Sequence, residues 1–281
     1  MEAFSIAYRI DNKYEHWVKK ADFRFLLIPA HTPSQQVLAE ELSCSFEDTL
    51  HRSENYLGFS MLSCHIEEAF NEFSLQYKAL VQVRKTNPFA VTPLPPAEEF
   101  AQLTNHSFTI DHHLFLAPTV LTCLPPGTQK QFPAYKGQMQ VFDYAFQLTQ
   151  HLHTMLEYCP ESTDVDTSIA EVLRIRKGVC QDFAHLFIGI CRANRIPARY
   201  VSGYLNQGEG FTGDSQLHAW AEVFIPNVGW KGFDATNNLV ADHHFIKIAH
   251  GTDYRDCSPI VGVLANSGMQ KSTHSVTVTN Q

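Results

Sequence analysis

Four prolines within nine residues, Pro88, Pro93, Pro95 and Pro96, interrupt the chain about a third of the way along. A proline offers no N–H and fixes φ, so this stretch sustains neither a central strand nor a helix interior. Regular structure must therefore lie on either side of it. Thr86 to Pro96 reads as a linker; the other reading is a rigid arm packed over one continuous domain, because proline content marks irregularity and not independence. The linker reading divides the chain into a β-rich N-terminal domain at residues 1–88 and a second domain at residues 98–281.

The two sides carry different periodicities. Before the prolines, Phe4, Ile6 and Tyr8 alternate, Phe23 to Pro29 is an apolar run closed by proline, and Tyr56 to Leu62 and Phe73 to Val81 repeat the pattern. Several short strands with little helix predict a small sandwich or barrel-like module. After the prolines, Val141, Phe142, Ala145, Leu148, Leu152, Met155 and Leu156 recur at three- and four-residue steps, which predicts an amphipathic helix over about 138–158. Ser168 with Glu171 matches a capping box and predicts a second helix to Arg176, stopped by Lys177-Gly178. A third helix begins near Cys180 and ends at Ile196-Pro197. Three strands are then expected at Ala198–Leu205, His218–Ile225 and Gly229–Asp234, separated by Gly-rich and Pro-Asn turns. Helix first, then antiparallel strands, is an α+β order.

Composition removes several function classes. A chain of 281 residues, 44% hydrophobic and 12% aromatic, has the material for a sizeable core. Its 29 acidic against 21 basic side chains, formal charge −8, repel a polyanion, so no nucleic-acid partner is expected. Seven scattered cysteines without a CxxC pair read as reduced thiols. Neither a signal-like start nor a membrane-length apolar run is visible, so the expectation is a cytoplasmic protein with no membrane partner.

The chemistry gathers around Cys180. A cysteine is a nucleophile as its thiolate, which a helix N-terminus and a neighbouring imidazolium favour. Gly178, two residues earlier, permits a close backbone approach or a positive φ, so that the sulfur and the Cys180 amide face one substrate carbonyl. His218 heads a strand whose period of two sets it on one face with Trp220, an indole suited to excluding water. Asp234 ends the next strand, where its carboxylate can reach the second imidazole nitrogen and fix tautomer and orientation. Each residue alone has an ordinary structural explanation: a small buried hydrophobe, a satisfied strand histidine, a turn cap. The conjunction carries the chemistry.

Four blocks occur in order: Gly178-Val179-Cys180-Gln181-Asp182-Phe183-Ala184-His185, Ile196 to Tyr204, His218 to Val223, and Gly229 to Asn237. They resemble the core of the transglutaminase-like superfamily, and the remainder is similar to a bacterial branch with its own N-terminal domain. The resemblance implies an α+β fold with a papain- or transglutaminase-like core, its Cys-bearing helix packed on an antiparallel sheet and preceded by a small all-β domain. It implies Cys180 as nucleophile, His218 as base and Asp234 as orienter, without a cofactor. It further implies a cysteine protease or amidase acting on a peptide or protein carboxamide through a thioester. The alternatives are a protein-glutamine transglutaminase, whose acceptor is an amine, and a binding or assembly module without the reaction. Ala235 stands where many relatives have proline, which loosens that turn and leaves the acid in place.

Other residues weigh less. Trp220 and Tyr204 are candidates to line the substrate cleft, with core packing the equal alternative. Asp182 and Gln181 suit the first helical turn, in a structural role. The pairs His112-His113 and His243-His244 and the near pair His151 and His153 invite a metal reading. Adjacent histidines, however, point to different faces of a regular element, and no spacing fits a metalloprotease helix, so no metal is expected.

Overall fold

The computed structural model describes residues 1–206, 211–212, 216–265 and 268–281. The alternation at the start of the chain produces a long first strand, β1 (Glu2–Val18), which buries Phe4, Ile6, Tyr8 and Ile10 on one face. There follow β2 (Ala21–Phe25), β3 (Gln35–Cys44), β4 (Leu50–Glu54), β5 (Ser60–Ile66) and β6 (Phe70–Val83). β1, β6 and β3 form one antiparallel sheet, and β2, β5 and β4 a second. Phe73 of β6 packs on Phe23 and Phe25 of β2 at ring separations of 4.5 and 5.8 Å, closing the two sheets on each other. A side chain of this size contributes about 1.5–3 kcal/mol when fully buried.

Residues 84–95 hold no regular structure, yet they are not a free tether. Phe89 meets Phe142 and Phe146 edge-on, and the Thr92 and Leu94 carbonyls accept bonds from Asn227 and Gln140. α1 (Pro96–Leu103) opens with proline in its first turn, where no N–H is missed. Its buried Glu99 accepts the first amide of a later helix, Val141 N–H, at 2.7 Å.

The short helices α2 (His106–Asp111) and α3 (His113–Leu116) lead to α4 (Val141–Met155), then β7 (Glu157–Tyr158), α5 (Ile169–Ile175), β8 (Lys177–Gly178) and α6 (Cys180–Ala193). Ser168 caps α5 by accepting Glu171 N–H, but the Glu171 carboxylate turns to Arg174, so only half of the expected capping box forms. α6 is buried nearly all round, as befits a central helix. Its one buried cation, Arg192, donates to Ala198 O, Ala117 O, Thr122 Oγ1 and Thr252 O, which ties the helix to the segments around it.

β9 (Ala198–Leu205), β10 (His218–Ile225) and β11 (Gly229–Asp234) have the bounds read from sequence, and β12 (Leu239–Val240) and β13 (Phe245–Gly251) complete an antiparallel sheet of order β12-β11-β10-β9-β13. The Gly-rich turn expected between β9 and β10 lies largely outside the described residues. Phe187 of α6 and Phe142 of α4 both pack on Phe233 of β11. The fold is α+β, with a helix-on-sheet core beside a strand-rich module.

The tail after α7 (Tyr254–Cys257) returns to that module. β14 (Ile260–Leu264) pairs with β2, and β15 (Gln270–Asn280) pairs with β1 from Phe4↔Asn280 to Tyr14↔Gln270. Each sandwich sheet thus takes its fourth strand from the far end of the chain. Between module and core, Gln35 donates to the carbonyls of Ala30 and Lys247 and accepts Lys247 N–H.

Candidate active site

The route into Cys180 is held from several directions. β7 and β8 run parallel, with Glu157 N–H donating to Arg176 O and Cys159 N–H to Gly178 O, so the chain arrives at the helix start along a fixed line. Gly178 is required by crowding and not by a positive φ: a Cβ there would stand 2.7 Å from Asp182 Cβ. Val179 has no side-chain acceptor. Asp182 caps the helix instead, accepting Val179 N–H at 2.8 Å and the Thr163 hydroxyl at 2.6 Å. Burial raises the pKa of this carboxyl group in spite of those bonds. Cys180 then opens α6, partly exposed, with its amide at a helix end where N–H groups lack intrahelical partners.

His218 is the first residue of β10, opposite Gly203 of β9. Glycine is needed at 203 because a Cβ would meet Ile246 O at 2.3 Å and the Trp220 ring at 2.5 Å. Trp220 stacks beside His218, ring centroids 6.3 Å apart, and meets Phe245 edge-on at 5.2 Å.

The His218 and Asp234 side chains are fully buried, joined by a 2.8 Å bond between Nε2 and Oδ2. Asp234 is further held by Asn237 Nδ2 at 2.8 Å on Oδ2, and by Thr236 N–H and Asn237 N–H on Oδ1. Those amides fix the turn at Ala235 without proline. Burial alone would lower the imidazole pKa, but the Asp234 carboxylate outweighs it, with help from the nearby Cys180 sulfur, and raises it to about 10. Burial likewise works against the Asp234 anion and is outweighed by His218 and Asn237, so the carboxylate titrates below its ordinary value. Nε2 is committed to Asp234, and Nδ1 has no hydrogen-bond partner among the described residues.

Of the three residues named from sequence, His218 and Asp234 are bonded and the Cys180 sulfur lies near the imidazole, while sequence reasoning did not single out Asn237, which also holds Asp234. Its side chain bonds both Asp234 and the backbone of Thr212, linking the carboxylate to the loop before β10. The signal was a carboxamide three residues after the acid. Trp220 and Tyr204 separate. Trp220 is almost fully buried and borders a cavity of about 320 Å³ together with Arg199, Glu222, Trp230 and Lys247. Tyr204 has no exposed surface, and its hydroxyl donates to Leu27 O at 2.8 Å, so it belongs to the seam with the strand-rich module and not to a cleft wall. No helix among the described residues is long and apolar enough to cross a membrane.

Residues 130–235 match the core-domain model of the transglutaminase-like superfamily. Over nearly its whole length the chain is similar to a crystal structure from Cytophaga hutchinsonii described as a candidate cysteine protease, with a TM-score of 0.79 and 28% identity, covering 99% of this chain and 90% of that one. An uncharacterized protein of Mycobacterium tuberculosis is 28% identical over 277 residues, 93% of this chain and 87% of its own length. One from Mycobacterium leprae is 38% identical over 117 residues, 40% of this chain and 41% of its own length.

Proposed function

Because the chain carries a transglutaminase-like core domain, we propose that it is a cysteine protease or amidase that cleaves a peptide or protein carboxamide, with Cys180 as nucleophile, His218 as acid and base, and Asp234 as orienter. The observation that carries this reading is the buried imidazole, bonded to a carboxylate through one nitrogen, free of hydrogen bonds at the other, and close to a helix-terminal thiol.

The steps follow from those positions. The Cys180 thiolate attacks the carboxamide carbon, and the Cys180 amide is placed to donate to the oxyanion that forms. As the C–N bond breaks, the His218 imidazolium gives its proton to the leaving nitrogen, and a free amine departs from a thioester. A water molecule then attacks the thioester while neutral His218 takes the water's proton. Sulfur leaves as thiolate, the acid product is released and the imidazolium is restored. Trp220 shields the ion pair from bulk water throughout, which strengthens its electrostatics.

Iodoacetamide at slightly acidic pH tests the first requirement. Cys123 is the most exposed of the seven thiols, yet Cys180 is expected to be alkylated first, and His218→Ala to slow it by about 10²–10⁴-fold. Equal labelling of all accessible thiols would instead indicate a binding module. Mass-spectrometric trapping of the acyl-enzyme from peptide amides, with and without a primary amine, then separates hydrolysis from amine transfer. Release of free acid in the presence of amine is the expected result.

A further inference from the structure

His243 and His244 precede β13 instead of lying within a strand, so the alternation expected of adjacent side chains does not apply there. Their rings lie 4.1 Å apart, inclined by 37°. Glu2 of β1 arrives at the same place, with Oε2 3.0 Å from His243 Nε2. One donor atom each from Glu2, His243 and His244 falls within 4.8 Å of the other two. Two donors about 2.0–2.1 Å from a tetrahedral ion stand roughly 3.3 Å apart, so small movements would bring the three onto one centre.

The opposite side of each imidazole is also arranged. Asp242 places Oδ1 and Oδ2 each 3.1 Å from His244 Nδ1, and Oδ2 3.8 Å from His243 Nδ1. An imidazole that ligates a metal gives one nitrogen to the ion and turns the other toward a carboxylate, which fixes its tautomer and raises its basicity. Here the Asp242 carboxylate bonds His244 Nδ1 and stops short of hydrogen-bond distance to His243 Nδ1, while His243 presents Nε2 to Glu2. Glu2 is oriented in a comparable way: Asn280 Nδ2 holds Oε1 at 2.6 Å and leaves Oε2 toward the histidines.

We propose that Glu2, His243 and His244 form a binding site for a divalent transition-metal ion of the Zn²⁺ type, with Asp242 positioning the His244 imidazole. Two imidazoles and one carboxylate suit zinc, with a fourth position for water, and offer too few oxygens for calcium. Lys85 Nζ now lies 3.0 Å from Glu2 Oε2 on a largely exposed stem, and its ammonium and the metal compete for that oxygen. The ion would bridge β1 of the strand-rich module and the start of β13. The next residue, Phe245, packs on Trp220 and has its ring centroid 6.3 Å from that of His218, so the metal would brace the wall behind the imidazole. This proposal is independent of the reaction at Cys180.

The test is titration of the full-length Cys180→Ala protein with ZnCl₂, a background in which the site thiol cannot bind the ion. One equivalent is expected to bind tightly and to raise the melting temperature. His243→Ala or Glu2→Gln should weaken binding about 100-fold or more, and Asp242→Asn about 10–100-fold. Lys85→Met, which removes the competing cation, should tighten it several-fold. Should His243→Ala fail to fold, Glu2→Gln and Lys85→Met still decide the matter, since they move affinity in opposite directions. Anomalous scattering at the zinc edge should place the ion between residues 2, 243 and 244. Zinc binding unchanged in all these variants, or an anomalous peak elsewhere, would overturn the proposal.

Discussion

Two largely buried charge clusters meet on β10, which supplies His218 to one and Glu222 to the other, and they differ in how completely they are satisfied. At one, His218 and Asp234 are fully enclosed, and the imidazole keeps one nitrogen uncommitted beside a partly exposed sulfur. At the other, Glu222 of β10 accepts Arg199 Nε of β9 at 2.6 Å and Lys247 Nζ of β13 at 2.7 Å, and Arg199 lies 4.0 Å over the Trp230 ring. Burial pushes the Glu222 carboxyl up, but its two cations prevail and hold it at about 2. His250, its pKa lowered to about 3 by burial and the neighbouring cations, stays neutral and accepts from Arg199. A cluster whose carboxylate is held by two cations cross-links strands, and that carboxylate stays ionised at neutral pH. The first cluster retains an imidazole nitrogen without a hydrogen-bond partner, and the proposed mechanism uses that atom to exchange a proton with the thiol.

The contrast predicts a double dissociation, the largest effect expected. Asp234→Asn should leave the fold in place and slow alkylation of Cys180 by about 10²-fold or more, because the amide neither stabilises the imidazolium nor fixes the same tautomer. Glu222→Gln should do the reverse. It leaves two buried cations without their anion, at a cost of about 3–5 kcal/mol in urea unfolding, while alkylation of the folded fraction stays within a few-fold of the parent. Loss of stability and reactivity together in both variants would mean that the clusters act as one network.

The next effect is smaller and has opposite signs at the two clusters. The folded His218 pKa, about 10, lies above its ordinary 6.5, so its stabilisation is complete below pH 6.5 and is lost as pH rises toward 10. Lys247 is shifted the other way by burial, from 10.5 to about 8, with Glu222 resisting, so the folded chain gains stability relative to the unfolded one between about pH 8 and 10.5. The stability advantage of the parent over His218→Ala should therefore shrink across pH 6.5–10. The corresponding difference from Lys247→Met should move in the parent's favour above pH 8. Each is on the order of a few kcal/mol, and parallel slopes would contradict the assignment of charge to the two sites.

How much of this was legible depended on whether one side of an element met the core. β9, β10 and β11 were read with their observed bounds because their apolar runs end in clear turn residues, and α6 because Cys180 follows a glycine stop and Pro197 ends it. β3 and β4 were missed: Gln35–Cys44 and Leu50–Glu54 are mostly exposed, so pairing with β6 and β5 decides their conformation, and no apolar alternation marks it. The pairing of β14 and β15 with β2 and β1 was illegible for another reason, since a partner more than two hundred residues away leaves no local trace. Within the site, the pairing of His218 with Asp234 was legible because each sits at the end of a strand whose bounds the turns mark. For Tyr204 the cleft and the core stayed equal alternatives in sequence because β9 is buried on both faces, and alternation then cannot say which face meets the thiol; in the fold its side chain is buried against Leu27.

Asn237 gives the finest test of the comparison. Its carboxamide makes three bonds, one to Asp234 and two to Thr212, and Asn237→Ala removes all of them while the Thr236 and Asn237 amides still hold Oδ1. If the open site depends mainly on the imidazole–carboxylate pair, the substitution should cost about 1–2 kcal/mol and slow alkylation of Cys180 only a few-fold. Asn237→Asp should be worse than alanine, because it sets a second carboxylate against Asp234 Oδ2, and its alkylation rate should recover as pH falls and one of the two acids is neutralised. An alanine variant as slow as Asp234→Asn would mean that the orientation of Asp234 is held by its side-chain neighbour more than by the turn's own amides. The histidine site would then be as densely cross-braced as the Glu222 cluster, and its reactivity would rest on the thiol's exposure alone.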